Sequence, residues 1–289
     1  MFTIENAKIK AVINAKGAEL TSLLNKENQL DYMWAGDPAV WGKHSPVLFP
    51  IVGTLKNNTY VYNGKEYQLP RHGFARDKQF AVESQNGESI TFLLRNDAET
   101  LTVFPFAFEF RLRYTLFENS LAVAYEVVNP AKELMYFSVG AHPAFKIPLM
   151  AGTDYTDYYL QFNQVETAPR WPISPDGLIE QTPLDLLLNT NRLNLSKDLF
   201  QKDALVVKGM ASTIVTLGSD KTQHGFRFDY PGFPFMGIWA AKNADFVCIE
   251  PWCGIADSVA STQQLTEKEG INKLKGGEKF TRTWTVTIY

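Results

Sequence analysis

The segment FEFRLRYTL, residues 108–116, sets apolar Phe108, Phe110, Leu112, Tyr114 and Leu116 against Glu109, Arg111, Arg113 and Thr115 in strict alternation. A period of two is what a strand with one buried and one wet face requires, so this stretch predicts antiparallel sheet. FENS then reverses the chain, and Leu121, Val123, Tyr125 and Val127 alternate on the way back, predicting a long hairpin. The C-terminal KFTRTWTVTIY repeats the pattern, with Thr281, Thr283, Thr285 and Thr287 on one face and Phe280, Trp284, Val286 and Ile288 on the other. Nothing sustains a 3.6-residue apolar stripe; the best helical candidate is a turn or two around Leu184 to Leu188 in PLDLLLNTNRLNLSKDLF. Pro and Gly punctuate the chain throughout, without a linker, low-complexity tract or internal repeat. The expectation is an all-β chain of 289 residues in one domain, residues 1–289, with two large, mostly antiparallel sheets packed face to face.

Charge narrows the partners. The 28 Lys and Arg nearly balance the 31 Asp and Glu, net -3, and no block of like charge interrupts the chain. That argues against a nucleic-acid footprint or a polybasic membrane patch. No segment approaches the ~20 apolar residues of a membrane span, and the opening MFTIENAKIKAVINAKG lacks the apolar core of a signal peptide. A cytoplasmic location is expected, with no nucleic-acid or membrane partner. The only cysteines, Cys248 and Cys253, match neither a disulfide framework nor a zinc pattern and read as reduced thiols.

Within VCIEPWCGIADS, residues 247–258, Glu250 is a lone carboxylate in an apolar run and directly precedes a proline. A buried carboxylate is costly without partners, so Glu250 is either ion-paired for structure or placed for chemistry. Strand parity puts it on one face with Cys248 and Phe246. If YFSVGAH is also a strand, Tyr136, Ser138, Gly140 and His142 share a face, and the small Ser138 and Gly140 leave volume beside the imidazole for a ligand. LPRHGFAR, residues 69–76, is the third stretch that sets polar residues in a tight local context. Taken singly, each residue has an equally good structural explanation.

Taken together, FPIVG, LPRHGFAR, VGAHPAFKIP and CIEPWCGIAD, in this order, resemble the aldose 1-epimerase or galactose mutarotase-like family, over roughly residues 5 to 288. The closest likeness is to its LacX-like and hexose-6-phosphate mutarotase branch. The resemblance implies a large antiparallel β-sandwich, the galactose mutarotase-like supersandwich, with a sugar groove across one sheet. It also implies that His142 is the general acid and Glu250 the general base. His72 falls at a substrate-binding position, Arg76 lies beside it, and Asp203 in FQKDALVV matches an aspartate that holds sugar hydroxyls. Galactose mutarotases proper carry an arginine and an asparagine where this chain has GTLKNNTY; Lys56 replaces the arginine there, a point charge instead of a bidentate fork.

The implied activity is interconversion of the α and β anomers of a hexose or hexose phosphate. The base takes the C1 hydroxyl proton while the acid protonates the ring oxygen. Neither a cofactor nor a metal enters this scheme, and the assembly expected is a monomer or homodimer. A cationic His142 beside an ionised Glu250 would stabilise both charges, making Glu250 the limit of the acid limb and His142 of the alkaline limb. Pro251 is expected to help end the strand at Glu250. Trp41, Trp239 and Trp252 could cover a pyranose face, although large aromatics in a sandwich more often serve the core. If the HGFAR segment is extended, Arg71 faces away from Arg76, and a phosphorylated sugar gains only modestly over a free one. The reading from a different class is a carbohydrate-binding or sensing module without turnover. Retention of both an acid and a base favours the enzyme.

Overall fold

A computed structural model describes residues 1–289. The alternating segments form the strands they predict. Glu109–Phe117 and Ser120–Val128 make the long hairpin, and Lys279–Ile288 pairs antiparallel with the second of them. Phe110, Leu112, Tyr114 and Leu116 are buried, as are Leu121, Val123, Tyr125 and Val127, so the period-two pattern points inward.

The main sheet has 14 strands, all but two of them hydrogen-bonded in one continuous path. From one edge its order is Val139–Gly140, Phe246–Cys253, Phe235–Trp239, Leu205–Lys208, Tyr158–Trp171, Ile214–Ser219, Phe226–Asp229, Lys279–Ile288, Ser120–Val128, Glu109–Phe117, Ser89–Arg95 and Ala81–Gln85. Ala144–Lys146 joins Phe246–Cys253, and Leu184–Asn194 joins Tyr158–Trp171. A three-stranded sheet, Phe2–Glu5, Ile9–Asn14 and Glu19–Asn25, packs against this path; Tyr114 Oη donates to Ala18 O at 2.6 Å. Its Ile4, Ile9, Ile13, Leu20 and Leu23 belong to one contiguous cluster of 71 buried side chains that also takes in Trp284, Phe226 and Phe49. The sheets therefore share a core.

Three local expectations are corrected. Leu184 to Leu188 form a strand instead of a helical turn: Leu187 and Leu188 pair with Ala168 and Thr167, so cross-strand pairing outweighs the helix propensity of leucine. YFSVGAH is not one strand. Met135–Phe137 pairs with Asn272–Leu274, Val139–Gly140 pairs with Phe246–Cys253, and the chain changes sheet at Ser138. Pro251 does not end its strand, which runs on to Cys253; lacking an N–H, it still accepts a hydrogen bond from Ala141 N at 3.0 Å through its carbonyl.

Candidate active site

Backbone hydrogen bonds tie the four sequence motifs to one another. Leu48 N donates to Gly140 O and Gly140 N to Leu48 O, both at 3.0 Å, joining the start of FPIVG to VGAH. Phe49 O accepts from Phe74 N and Ala75 N, joining it to HGFAR, while the Phe49 ring stacks on Phe110 at 4.5 Å and anchors the segment in the core. VGAH and CIEPW meet through Ala141 N to Pro251 O. Asp257 N donates to Thr54 O at 2.8 Å, closing the ring of contacts.

Gly53 shows why glycine is needed in this arrangement. Its φ is +73, and a Cβ there would fall 2.4 Å from the Ala256 Cβ. The bare residue lets its N–H donate to His72 Nδ1 at 3.1 Å and its carbonyl accept from His72 N at 2.9 Å. With Nδ1 accepting, a neutral His72 carries its proton on Nε2. Asp257 holds the same loop: its Oδ2 accepts from Lys56 N at 3.0 Å and its Oδ1 from Lys268 Nζ at 2.7 Å, with both side chains of that ion pair 3% exposed.

Next to this network is a cavity of about 450 Å³, within the usual range for small-molecule sites. His72, Arg76, His142, Asp203 and Glu250 all line it, so the structure brings together five of the six residues singled out from sequence. Lys56 lies elsewhere. Its Nζ donates to Val259 O at 2.9 Å, which ties down the neighbouring loop.

His142 Nε2 and Glu250 Oε2 face each other at 3.3 Å, both side chains buried. The imidazole stacks on Trp41 at 5.1 Å, meets Trp239 edge-on at 5.5 Å and lies 5.8 Å from the His72 ring. Burial dominates the titration of this group. It lowers His142 to about 3, pushes the Glu250 carboxyl well above the ordinary carboxyl range, and holds His72 well below the ordinary imidazole value. For Glu250 the nearby Arg71 works against burial and Asp203 works with it. Burial thus works against the ion pair expected from sequence and favours a neutral imidazole beside a protonated carboxyl. Both forms hold one proton between them and differ only by its transfer across the contact.

Other expectations about the wall change too. Gly140 leaves no free volume: a Cβ there would meet Trp252 Cδ1 at 2.6 Å, and one on Gly237 would meet Trp252 Cζ2 at 2.4 Å, so two glycines make room for the indole. Ser138 lies against Gly254 in the same way, and Tyr136 packs with Tyr62 and Phe106 instead of lining the cavity. Trp41, Trp239 and Trp252 all line it. Arg71 joins Arg76 there because LPRHGFAR is a turn, with His72 at φ +69 and Gly73 at φ +70, so strand alternation does not apply. Lys202 and Lys242, which carry no motif, add two more cations.

The aldose 1-epimerase family model matches residues 1–268. The chain belongs to the aldose 1-epimerase family. Within it, this chain is 40% identical to a galactose mutarotase related enzyme from Lactobacillus acidophilus, superposing with a TM-score of 0.94 over 100% of this chain and 97% of that one. A galactose mutarotase-like protein from Lactobacillus casei is 33% identical, with a TM-score of 0.94 and complete coverage of both chains. Protein LacX of Lactococcus lactis subsp. lactis is 33% identical over 294 aligned positions, covering 99% of this chain and 98% of that protein. The fold is the antiparallel β-sandwich of galactose mutarotase-like proteins, and membership of the aldose 1-epimerase family makes this chain an isomerase.

Proposed function

We propose that this aldose 1-epimerase interconverts the α and β anomers of a hexose, with Glu250 as general base and His142 as general acid. The supporting observation is their 3.3 Å approach in the wall of the cavity. The two atoms that exchange protons, the C1 hydroxyl oxygen and the ring oxygen, are bonded to the same carbon. An acid and a base that serve both in one step must stand equally close.

With the proton on His142, the Glu250 carboxylate accepts the C1 hydroxyl proton. The C1–O5 bond breaks with its electron pair moving to O5, which takes the proton of His142, and an open-chain aldehyde remains. Rotation about C1–C2 presents the other carbonyl face, and the same transfers in reverse close the ring. His72 donates from Nε2 to a sugar oxygen, Arg76 and Asp203 hold hydroxyls, and the indoles cover the apolar face of the pyranose. Asp203 holds a φ of +152, which L-residues rarely adopt, and such strain is concentrated at ligand-binding positions.

A phosphorylated hexose is the second reading, favoured by the four cations Arg71, Arg76, Lys202 and Lys242 around a cavity whose carboxyl groups are Asp203 and Glu250, the latter pushed toward its neutral form by burial. Purified protein should speed the exchange of α and β signals of glucose, galactose or their 6-phosphates, followed by saturation-transfer NMR. Binding of these sugars without any acceleration over buffer would leave the carbohydrate-binding module as the reading and discard the enzyme.

A further inference from the structure

Cys248 has no part in the proton transfers, yet it stands directly behind the pair that does. Its Sγ, an imidazole nitrogen of His142 and a carboxylate oxygen of Glu250 lie within 4.8 Å of one another, and all three side chains are buried. Two of these donors come from alternate positions on one face of Phe246–Cys253, and the third from the loop after Val139–Gly140, held by the Ala141 to Pro251 hydrogen bond. We propose that His142, Cys248 and Glu250 form a binding site for a thiophilic divalent cation of the Zn²⁺ type, and that the cation competes with sugar. Its competition with turnover rests on the mutarotase reading; the site itself does not.

The donor set decides the class of ion. One nitrogen, one sulfur and one oxygen suit Zn²⁺ or Co²⁺ and disfavour Mg²⁺ and Ca²⁺, which take oxygen ligands. Bond lengths of about 2.0–2.3 Å place tetrahedral donors roughly 3.3–3.7 Å apart. The 3.3 Å between His142 Nε2 and Glu250 Oε2 is already such an edge, and the thiol has to close by about an ångström, within reach of a side-chain rotation. A thiolate and a carboxylate offset the two charges of the cation, so the filled site is neutral and compatible with its dry surroundings. Three protein ligands leave the fourth position open, and His142 and Glu250 present that side to the cavity. A cation there takes the lone pairs of both the acid and the base.

Co²⁺ titration of the intact protein provides a readout independent of turnover, since a cobalt–thiolate bond gives a ligand-to-metal charge-transfer band. The band should appear in the wild type and be absent in Cys248→Ala, with Cys248→Ser as the second variant if the first fails to fold. Zn²⁺ should inhibit anomer exchange competitively with sugar, EDTA should reverse the inhibition, and Mg²⁺ should have no effect. Loss of an outer-shell partner alone costs about 10–100-fold in metal affinity, so removing the thiol ligand should raise the Zn²⁺ inhibition constant at least about 100-fold, each variant referred to its own zinc-free rate. No cobalt band in the wild type, or equal zinc inhibition in Cys248→Ala, overturns the site. Cobalt binding to a protein that interconverts no sugar leaves the site standing and removes the mutarotase reading instead.

Discussion

Glu250→Gln separates the catalytic cost of this carboxyl from its structural cost, because the two are expected to move in opposite directions. The amide keeps the size of the side chain and can still donate toward His142, but it cannot take a proton from C1. Losing one positioned proton-transfer group costs about 10²–10⁴-fold, so kcat should fall at least about 100-fold, equivalent to about 2.7 kcal/mol of barrier. Sugar affinity should change far less, since Arg76, Asp203, His72 and the indoles remain in place.

Stability should change the other way. Burial raises the carboxyl pKa of Glu250 in the folded protein well above the ordinary value of 4.5. A group with a raised folded pKa contributes stability that is complete below its unfolded pKa and is lost as pH rises toward the folded value. While the folded carboxyl keeps its proton and the unfolded one does not, each pH unit above 4.5 costs the wild type about 1.4 kcal/mol. Glutamine has no proton to lose and escapes that cost. Urea unfolding of both proteins at pH 4 and pH 7 should therefore show the variant gaining on the wild type as pH rises, while anomer exchange collapses at both. Turnover near the wild-type rate would remove Glu250 as the base. A stability difference that does not move with pH would show that the carboxyl is ionised in the fold and that burial does not govern the pair.

His142→Asn should lower kcat on a similar scale, and the double variant with Glu250→Gln should lose much less than the product of the two, since the groups act as one unit; simple multiplication in a double-mutant cycle would contradict the paired mechanism. In the pH profile of kcat/KM, adding a proton to the pair is resisted by His142, lowered to about 3, and removing one by Glu250, whose pKa is raised. The plateau should cross neutrality with His142 setting the acid limb and Glu250 the alkaline limb; activity that declines from pH 6.5 upward would reverse that assignment. Lys56→Met should leave kcat/KM within about twofold, because its ammonium bonds Val259 O outside the cavity; a tenfold loss would return Lys56 to the substrate site. Asp257→Ala strands the buried Lys268 ammonium, whose pKa burial already lowers, and should cost about 3–5 kcal/mol in denaturant unfolding; a loss below about 1 kcal/mol would mean Lys268 finds water.

Where a strand has one wet face, the sequence carries its own register. Phe110 to Leu116 and Phe280 to Ile288 could be read residue by residue because each buried position is flanked by a polar one. Phe246–Cys253 is buried at every position, so alternation is lost and only parity links Cys248 to Glu250. Leu184–Asn194 misleads for a different reason. Four of its first five residues are exposed or half-buried leucine and aspartate next to a polar run, and only the partner strand Tyr158–Trp171 makes it extended.

The site divides along the same physical line. His142 and Glu250 were legible through motifs, but their protonation was not, because charge pairing and desolvation oppose each other and only the depth of burial decides between them. Arg71 departs from alternation because the segment turns at His72, a non-glycine residue at positive φ that gives no warning in the sequence. Lys56 differs in the opposite way: its backbone belongs to the motif, with Lys56 N on Asp257 Oδ2, while its side chain leaves it. Position in a motif fixes where a backbone runs, and the side chain follows only when something at the site holds it. His72 is held by the Gly53 N–H and Arg76 by the Arg71 carbonyl at 3.0 Å, whereas the contacts of Lys56 all point to the loop beyond. A test follows directly: replacing Gly53 with alanine would place a Cβ 2.4 Å from Ala256 and disturb the donor that sets the His72 tautomer, so Gly53→Ala should raise KM for sugar more than Lys56→Met does. Equal KM values in the two variants would show that the Gly53 to His72 hydrogen bond does not position the substrate.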